Sequence, residues 1–341
     1  MCDKLDNKRG RVFSGMRPTG KLHIGHWLGA LRNWKKLQHE FDCVFGIVDW
    51  HALAGGGWSK RDKLSDNIYE MAIDYLTVGI DPEKAPIIVQ SQMKHHAELH
   101  VILSMIVPTP WLLRNPAIKE QARDLGLVGE DADLTKIDYG YLGYPVLQAA
   151  DILVYGATHV PVGEDQAPHI ELTREIVRRF NHIFGNVFPE PKTLLTLTPR
   201  ILGTDNRKMS KSYGNCIYIG DEPDKIQSQV RRMITDPQKV RRNDPGHPDV
   251  CNVFSYHKIF NNDETTKIRT HCESGKLGCV ACKKNLSGRL SDQLQPLREE
   301  RKRWAKSRDE IDRVFKKSAE KAVETTSKVM EKVRKAVNLY A

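Results

Sequence analysis

One stretch near the amino terminus, residues 13–26, constrains the fold of this chain most. It reads Phe-Ser-Gly-Met-Arg-Pro-Thr-Gly-Lys-Leu-His-Ile-Gly-His, which predicts the end of a strand, a tight turn and the first turn of a helix. A helix N-terminus favours an anion such as phosphate, because it offers free N–H groups and the positive end of a dipole. His23 and His26 flank that point as further donors, and Gly25 would let a flat ring approach the backbone. The alternative is a solvated turn that happens to contain two histidines.

Short apolar runs alternate with helical segments in the first part of the chain. Residues 43–48, 85–90 and 158–162 each form such a run and lead into polar residues. The runs are typical of buried parallel strands, and their alternation with helices predicts a doubly wound sheet. Ligands of such sheets bind at the carboxyl ends of the strands. We therefore expect a Rossmann-like α/β domain with its site at that edge.

The character of the chain changes after a polar, glycine-bounded loop at residues 201–215. From about residue 221 helical periodicity dominates and continues into the carboxyl-terminal residues. We expect a polar extension over residues 1–10, a nucleotide-binding catalytic domain over residues 11–220 and a helical domain over residues 221–341.

A net charge of +10 over 341 residues, with a pI near 9.2, suggests a polyanionic partner. The positive charge is concentrated around residues 231–242, 283–284 and 298–308. Because acidic residues are interleaved in the last of these, solvated helix faces are the alternative. No apolar run approaches the roughly 20 residues that a membrane helix needs. The polar amino terminus also lacks a secretory signal, so we expect a cytosolic protein.

Three polar residues share one face of a predicted helix that has Pro145 in its first turn. Tyr144, Gln148 and Asp151 follow the spacing i, i+4, i+7 among apolar neighbours. An unpaired carboxylate is costly to bury, so Asp151 needs a partner. It either faces a ligand, or it points to solvent or to a backbone N–H.

The chain has seven cysteines, which in a cytosolic protein are not expected to form disulfides. Four of them, Cys251, Cys272, Cys279 and Cys282, fall close together in the helical part. Four thiolates suit tetrahedral zinc or a 4Fe–4S cluster, and spacing alone does not choose between them.

Two short sequences together resemble the signatures of class I aminoacyl-tRNA synthetases. They are His-Ile-Gly-His at residues 23–26 and Lys-Met-Ser-Lys-Ser at residues 208–212. The closer resemblance is to tryptophanyl-tRNA synthetases of bacterial type. It extends over most of the chain, through residues 14–26, 49–53, 144–153, 160–166, 169–174 and 203–212.

The resemblance implies a Rossmann-like catalytic domain followed by an α-helical anticodon-recognition domain. It also implies ATP-dependent attachment of tryptophan to tRNA(Trp) through a tryptophanyl-adenylate, with release of pyrophosphate and AMP. A tyrosine-specific enzyme and an inert RNA-binding paralogue are the alternatives. The stretches Ala-Ala-Asp-Ile-Leu and Gly-Glu-Asp-Gln argue against the first, and the intact histidine and lysine signatures argue against the second.

By the same resemblance, ATP lies across the opening stretch with its adenine near Gly25, and Mg²⁺ bridges its phosphates. The implied catalytic residues are His23, His26, Lys208 and Lys211. The implied ATP-binding residues are Arg17, Pro18, Thr19, Gly25, His26, Gly163, Glu164, Asp165, Ile201, Lys208, Met209, Ser210, Lys211 and Ser212.

The resemblance also implies a tryptophan site. Asp151 matches the position that accepts the indole N–H, and Tyr144 and Gln166 match groups that hold the amino group. His51 matches a pocket residue, with a hydrogen-bonded histidine that supports the loop as the alternative. Gln148 stands where familiar relatives have Met.

A similar cysteine pattern occurs in tryptophanyl-tRNA synthetases that carry a 4Fe–4S cluster, after a stretch like Asp-Pro-Gly-His-Pro at residues 244–248. The resemblance therefore favours a structural 4Fe–4S cluster on the four cysteines, with zinc as the alternative. It further implies a homodimer whose partners are tRNA(Trp), L-tryptophan and ATP, with no membrane attachment.

Overall fold

The structure is a computed structural model that describes residues 10–131, 133–163, 166–195 and 201–340. The chain forms two compact units. The first contains Met1–Gly20, Asn33–Leu197 and Ser307–Ala341, and the second contains Lys21–Arg32 and Thr198–Lys306.

A parallel sheet of five strands forms the centre of the first unit, in the order β3-β2-β1-β4-β5. Strands β2 and β3 are added on one side of β1, and β4 and β5 on the other. The strand order therefore reverses between β1 and β4, and doubly wound folds bind ligands at such a point. The predicted Rossmann-like architecture is confirmed. The strands are β1 (Arg11–Met16), β2 (Asp42–Ile47), β3 (Ile87–Val89), β4 (His159–Val162) and β5 (Lys192–Leu195).

Helices surround the sheet and make up most of the second unit. None of those in the described residues is long and apolar enough to cross a membrane. In chain order they are α1 (Ile24–His26), α2 (Arg32–Glu40), α3 (Asp49–Leu53), α4 (Leu64–Thr77), α5 (Lys94–Ser104), α6 (Thr109–Arg114), α7 (Pro116–Asp124), α8 (Tyr139–Leu153), α9 (Ala167–Phe184), α10 (Pro223–Arg232), α11 (Asn252–Phe260), α12 (Thr265–Glu273), α13 (Cys279–Ala305) and α14 (Arg308–Ala336).

Two helix predictions need correction. The helix expected from His26 onwards is interrupted by a π-helical segment, Trp27–Leu31, between α1 and α2. π-Helical turns inside α-helices often mark functional sites. Pro145 lies inside α8 rather than in its first turn, because α8 already begins at Tyr139.

Aromatic side chains pack densely against the sheet of the first unit. The ring of Trp34 stacks on Phe45 with their centroids 4.4 Å apart, and Tyr75 meets Trp34 edge-on at 5.3 Å. All three are buried. Such aromatic pairs add to the stability gained by burying their surface. They hold β2 against α2 and α4, in agreement with the buried strand predicted from the sequence.

The last helix, α14, belongs to the sheet unit. Ser318 accepts a hydrogen bond from the backbone N–H of Ile87 in β3 at 3.1 Å. Near the end of α14, Arg334 forms two hydrogen bonds of 2.6 Å with the carboxylate of Glu98 in α5. The division expected at residue 220, with one helical domain to residue 341, therefore does not coincide with the compact units.

The second unit is mainly helical within the residues described. Ile226 and Val230 of α10 and Leu286, Leu290 and Leu294 of α13 lie in one buried apolar cluster. Spacings of three to four residues place them on one side of each helix. This agrees with the helical periodicity expected after residue 221.

Candidate active site

The two signature sequences meet within the second unit. The backbone N–H of Ile24 donates to the carbonyl of Ile217 at 2.9 Å, and that of Ile219 donates to the carbonyl of Leu22 at 3.2 Å. His23 pairs with Tyr218 in an antiparallel bridge. The histidine motif is thus bonded to the segment that directly follows the lysine loop.

The rings of His23 and His26 lie against each other with centroids 3.7 Å apart. Burial, and then the charge of Lys211, lowers the pKa of His23 to about 4. Burial, His23 and Lys211 together lower the pKa of His26 well below its usual value. Both imidazoles are therefore neutral at pH 7, and each can donate one N–H to an anion. The charge of Lys211 acts on both rings, in agreement with the backbone bonds at the histidine motif.

Gly25 leaves room for the imidazole of His23. A Cβ atom at this position would lie 2.9 Å from Nδ1 of His23 and 3.6 Å from the sulfur of Met209. The structure therefore supports a steric reason for glycine here. It also places buried Met209 of the lysine loop beside the histidine motif.

Asn215 stabilises the lysine loop through side-chain hydrogen bonds. Its Oδ1 accepts the backbone N–H of Ser210 at 2.8 Å, and its Nδ2 donates to the carbonyl of Lys208 at 3.1 Å and to Asp205 at 2.7 Å. Asn215 is buried, whereas Lys208 and Ser212 are exposed and Lys211 is half-buried. The sequence analysis placed Asn215 only at the end of the loop and missed this role.

Ile201 packs in the apolar cluster of the second unit, next to the lysine loop. Arg17, Pro18 and Thr19 follow β1, where the N–H of Thr19 donates to the carbonyl of Arg17 at 2.9 Å. Gly163 follows β4, and its carbonyl accepts the N–H of Gln166 at 3.0 Å. Glu164 and Asp165, both predicted to bind ATP, lie outside the described residues.

Asp151 is the centre of a buried polar network in the first unit. His51 Nε2 lies 2.8 Å from Oδ2, and His96 Nδ1 lies 2.7 Å from Oδ1. The amide of Gln90 donates to both oxygens, at 2.7 and 3.0 Å. Burial opposes ionisation of this carboxyl, but His51 and His96 outweigh it and lower its pKa to about 2. Asp151 is thus a carboxylate that accepts hydrogen bonds, as its predicted role requires.

Sequence reasoning missed two of these donors. Gln90 follows β3 and His96 lies in the first turns of α5, and both are fully buried. Gln90 could have been found, because it is the polar residue that directly ends an apolar strand at the carboxyl edge of the sheet. Nothing in the local pattern singles out His96.

Tyr144 stands on the same helix as Asp151. Its hydroxyl lies 2.9 Å from Nε2 of buried His169 in α9. Burial raises the pKa of Tyr144 well above its usual value, so it stays a neutral hydroxyl. Gln148, one turn along α8, is half-buried. A cavity of about 280 Å³ opens beside Tyr144, with Trp50 and Tyr141 among its walls.

The four cysteines lie in one neighbourhood of the second unit. Burial, and then the other three thiols, raise the pKa of Cys282 to about 12. Burial also raises the pKa of Cys272, against a smaller opposite effect of Lys239. Among the described residues, however, no three or more histidine, cysteine or acidic side chains form a group that could hold a metal ion.

Comparison with known proteins agrees with this geometry. Residues 5–295 match the family model described as tRNA synthetases class I (W and Y). The chain is 44% identical to the tryptophan–tRNA ligase of Aquifex aeolicus, over 96% of this chain and 100% of that protein. It is 46% identical to the tryptophan–tRNA ligase of Thermotoga maritima, over 96% and 99%.

Among solved structures, the chain is similar to tryptophanyl-tRNA synthetase from Campylobacter jejuni in a complex with ADP and tryptophan. The two share 29% identity and a TM-score of 0.86, over 96% of this chain and 100% of that one. Fold, signature geometry and sequence identity over nearly the whole chain therefore agree. The chain belongs to the class I tRNA synthetases for tryptophan and tyrosine, and within them to the tryptophan–tRNA ligase family.

Proposed function

We propose that this protein attaches tryptophan to tRNA(Trp) in two steps. The carboxylate of tryptophan attacks the α-phosphate of ATP, which forms tryptophanyl-adenylate and releases pyrophosphate. A hydroxyl of the terminal tRNA ribose then attacks the carbonyl carbon and releases AMP. The observation that carries this proposal is that His23 pairs with Tyr218, just after the lysine loop, while Met209 of that loop lies beside Gly25.

The chemistry of adenylate formation requires donors and positive charge where negative charge develops, rather than a nucleophilic side chain. Neutral His23 and His26 each supply an N–H, and Lys208 and Lys211 supply the charge. Imidazoles and ammonium groups are not the oxygen ligands that Mg²⁺ prefers, so the phosphates of ATP would hold that ion. When bound, Mg²⁺ supplies further positive charge to the departing pyrophosphate.

For tryptophan, we propose that Asp151 accepts the indole N–H while Tyr144 and Gln166 hold the amino group. His51 and Gln148 complete the surroundings of the ring. Asp151 is suited to this role because it is ionised and fixed by three donors. A side chain that displaced His51 without offering an N–H of its own would leave this acceptor position of Asp151 unpaired, which penalises the wrong amino acid.

ATP–pyrophosphate exchange tests this function. Exchange should depend on tryptophan, and tyrosine should not replace it at equal concentration. Exchange with tyrosine alone would make the chain a tyrosine-specific enzyme. Absence of exchange with either amino acid, in a folded protein, would refute adenylate formation.

We further propose that Cys251, Cys272, Cys279 and Cys282 hold a 4Fe–4S cluster, with zinc as the alternative. The donor set fits, because four thiolates are the usual ligands of both. Their mutual effect on pKa supports the proximity that shared ligation needs. Iron and acid-labile sulfide analysis of protein purified without oxygen tests this choice, and stoichiometric zinc without iron would reverse it.

We propose the second unit as the part that contacts the tRNA beyond its acceptor end. Exposed arginines at 231, 232, 241 and 242 support this proposal, since phosphate contacts dominate the affinity for nucleic acids. Charge reversal at Arg241 and Arg242 should weaken tRNA binding and reduce its salt dependence. Tryptophan-dependent exchange without tRNA should stay unchanged, and an unaltered salt dependence would exclude these arginines.

A homodimer in the cytoplasm completes the proposal. Exposed apolar side chains support it, namely Met105 after α5, Tyr139 at the start of α8, and Val101 in α5. Apolar exposure of this kind is a feature of interaction surfaces. Sedimentation should give a dimer for the parent protein and a monomer for Met105→Glu, whereas Val323→Glu in α14 should remain dimeric.

A further inference from the structure

We propose that His96 is a positioning residue for indole recognition, and that Tyr155 sets the tautomer in which His96 does this. This inference rests on the proposed role of Asp151 in binding the indole N–H. The two oxygens of the Asp151 carboxylate then have different tasks. Oδ1 is held permanently by His96, and Oδ2 is the acceptor that the substrate uses.

Burial distinguishes His51 from the other partners of Asp151. His96 on Oδ1 and Gln90, which donates to both oxygens, have no exposed surface, whereas His51 on Oδ2 keeps 8% of its surface exposed. His96 also lies within packed aromatic surroundings, with its ring 5.3 Å from that of Tyr155 and 6.1 Å from that of Phe13. His51 is therefore the donor that an incoming N–H can replace, while His96 stays in place.

The proton positions follow from the charge on Asp151. A carboxylate can only accept, so Nδ1 of His96 must carry the proton that it donates across 2.7 Å. In neutral imidazole the other nitrogen, Nε2, is then an acceptor. It lies 2.9 Å from the hydroxyl of Tyr155, which is fully buried and neutral. Tyr155 thus donates to Nε2 and selects the tautomer with its proton on Nδ1, as outer partners of functional histidines commonly do.

Every titratable group near Asp151 bears on this arrangement. His51 approaches from α3, His96 and His100 from α5, and Tyr155 from the turn after α8. Loss of His96 would remove one of the donors that offset burial. The carboxyl would then take up a proton at a higher pH and would be free to turn. A protonated Asp151 would no longer distinguish an N–H from other groups.

The test compares tryptophan with β-(benzothiophen-3-yl)alanine, in which sulfur replaces the indole N–H. Discrimination is the ratio of the two kcat/KM values in ATP–pyrophosphate exchange. Loss of the donor in His96→Leu should reduce this ratio about 10-fold to 100-fold. His96→Asn, whose amide can occupy the place of Nδ1, should keep it within about threefold of the parent value. Tyr155→Phe should reduce it about threefold to 10-fold.

The pH profile separates positioning from a merely structural role. The parent ratio should be flat between pH 5.5 and pH 8, because Asp151 stays ionised throughout. In His96→Leu the ratio should begin to fall at a higher pH than in the parent, because one of the donors that keep Asp151 ionised is gone. Tyr75→Phe is the matched control, because it removes another buried hydroxyl, one that donates to the carbonyl of Gly46 at 3.3 Å. It should lower stability and leave the ratio unchanged.

Asp151→Ala distinguishes the possible failures. If its ratio matches the parent, the proposed role of Asp151 is wrong. If its ratio collapses while His96→Leu and Tyr155→Phe match the parent at every pH, only the role of His96 is refuted. Should His96→Leu fail to fold, Tyr155→Phe and His96→Asn decide. A parent-like ratio and flat profile in Tyr155→Phe, or a collapsed ratio in folded His96→Asn, would overturn the proposal.

Discussion

Ile24 donates its backbone N–H to the carbonyl oxygen of Ile217 at 2.9 Å, although the two residues are far apart in the chain. This bond joins the histidine motif to the segment that directly follows the lysine loop. We therefore expect a change in one signature to affect the other.

Lys211→Ala should slow adenylate formation about 100-fold to 1,000-fold, because it removes positive charge from the developing pyrophosphate. Tryptophan affinity should not change, since the tryptophan network lies in the first unit. Single-turnover ATP–pyrophosphate kinetics and tryptophan titration measure the two effects. Lys306→Ala, an exposed lysine of the same unit, is the control. Equal rates for the two variants would remove Lys211 from the reaction.

Gly25→Ala should impair ATP use and lower stability, because the added Cβ would lie 2.9 Å from Nδ1 of His23. We expect a loss of about 1–3 kcal/mol in the free energy of unfolding, as for other overpacked sites. Gly288→Ala in α13 meets no atom within 4 Å and should instead stabilise the protein by about 0.5–1 kcal/mol. Urea unfolding and the KM for ATP measure both variants, and an unchanged KM in Gly25→Ala would count against this packing.

The free energy of unfolding should depend on pH through His23. The pKa of His23 is about 4 in the folded protein and 6.5 as its ordinary value. Below pH 6.5 the unfolded chain therefore takes up a proton that the folded chain does not. Stability falls as the pH decreases from 6.5 towards 4, by up to about 3 kcal/mol for this group.

Urea unfolding of His23→Gln and parent protein at pH 7 and pH 5 measures this contribution as a difference. The variant should lose less stability than the parent between the two pH values. His39→Gln, an exposed histidine, should behave as the parent does. Because the pKa of Asp151 is lowered to about 2, its contribution to the pH dependence of stability lies below pH 5. It therefore does not affect this comparison. Equal losses in His23→Gln and the parent would contradict the prediction.

Asn215→Ala should release the lysine loop. Three hydrogen bonds of the buried Asn215 side chain would be lost, and each contributes about 0.5–1.5 kcal/mol. The KM for ATP should rise about 10-fold, because the loop must be ordered on binding. Ser212→Ala, an exposed change in the same loop, should leave stability unchanged. A parent-like KM in Asn215→Ala would show that ATP binding orders the loop without this residue.

The sheet and the two signatures could be predicted from the sequence because both depend on local patterns. The apolar run at 43–48 corresponds to β2 (Asp42–Ile47), and the turn before His23 follows from its glycines and proline. The fold class and the family follow from these patterns. What is confirmed is the fold class and the family. The ATP contacts of Arg17 and Gly163 stay predictions.

Features that depend on distant partners could not be predicted. His96 and Asp151 meet only because α5 and α8 pack together, and no periodicity in either helix indicates it. The helical pattern of α14 is the same whether the helix joins the second unit or the sheet. Its place is decided by contacts such as Ser318 with Ile87, which pattern analysis does not contain.

That contact also has a consequence for synthesis of the chain. Strand β3 is an edge of the sheet, and an exposed edge strand invites pairing with other chains. Ser318 satisfies the backbone N–H of Ile87 on that edge, but α14 comes much later in the chain than β3. Until α14 has been synthesised, β3 lacks this partner. A chain stalled before α14 should therefore aggregate through this edge.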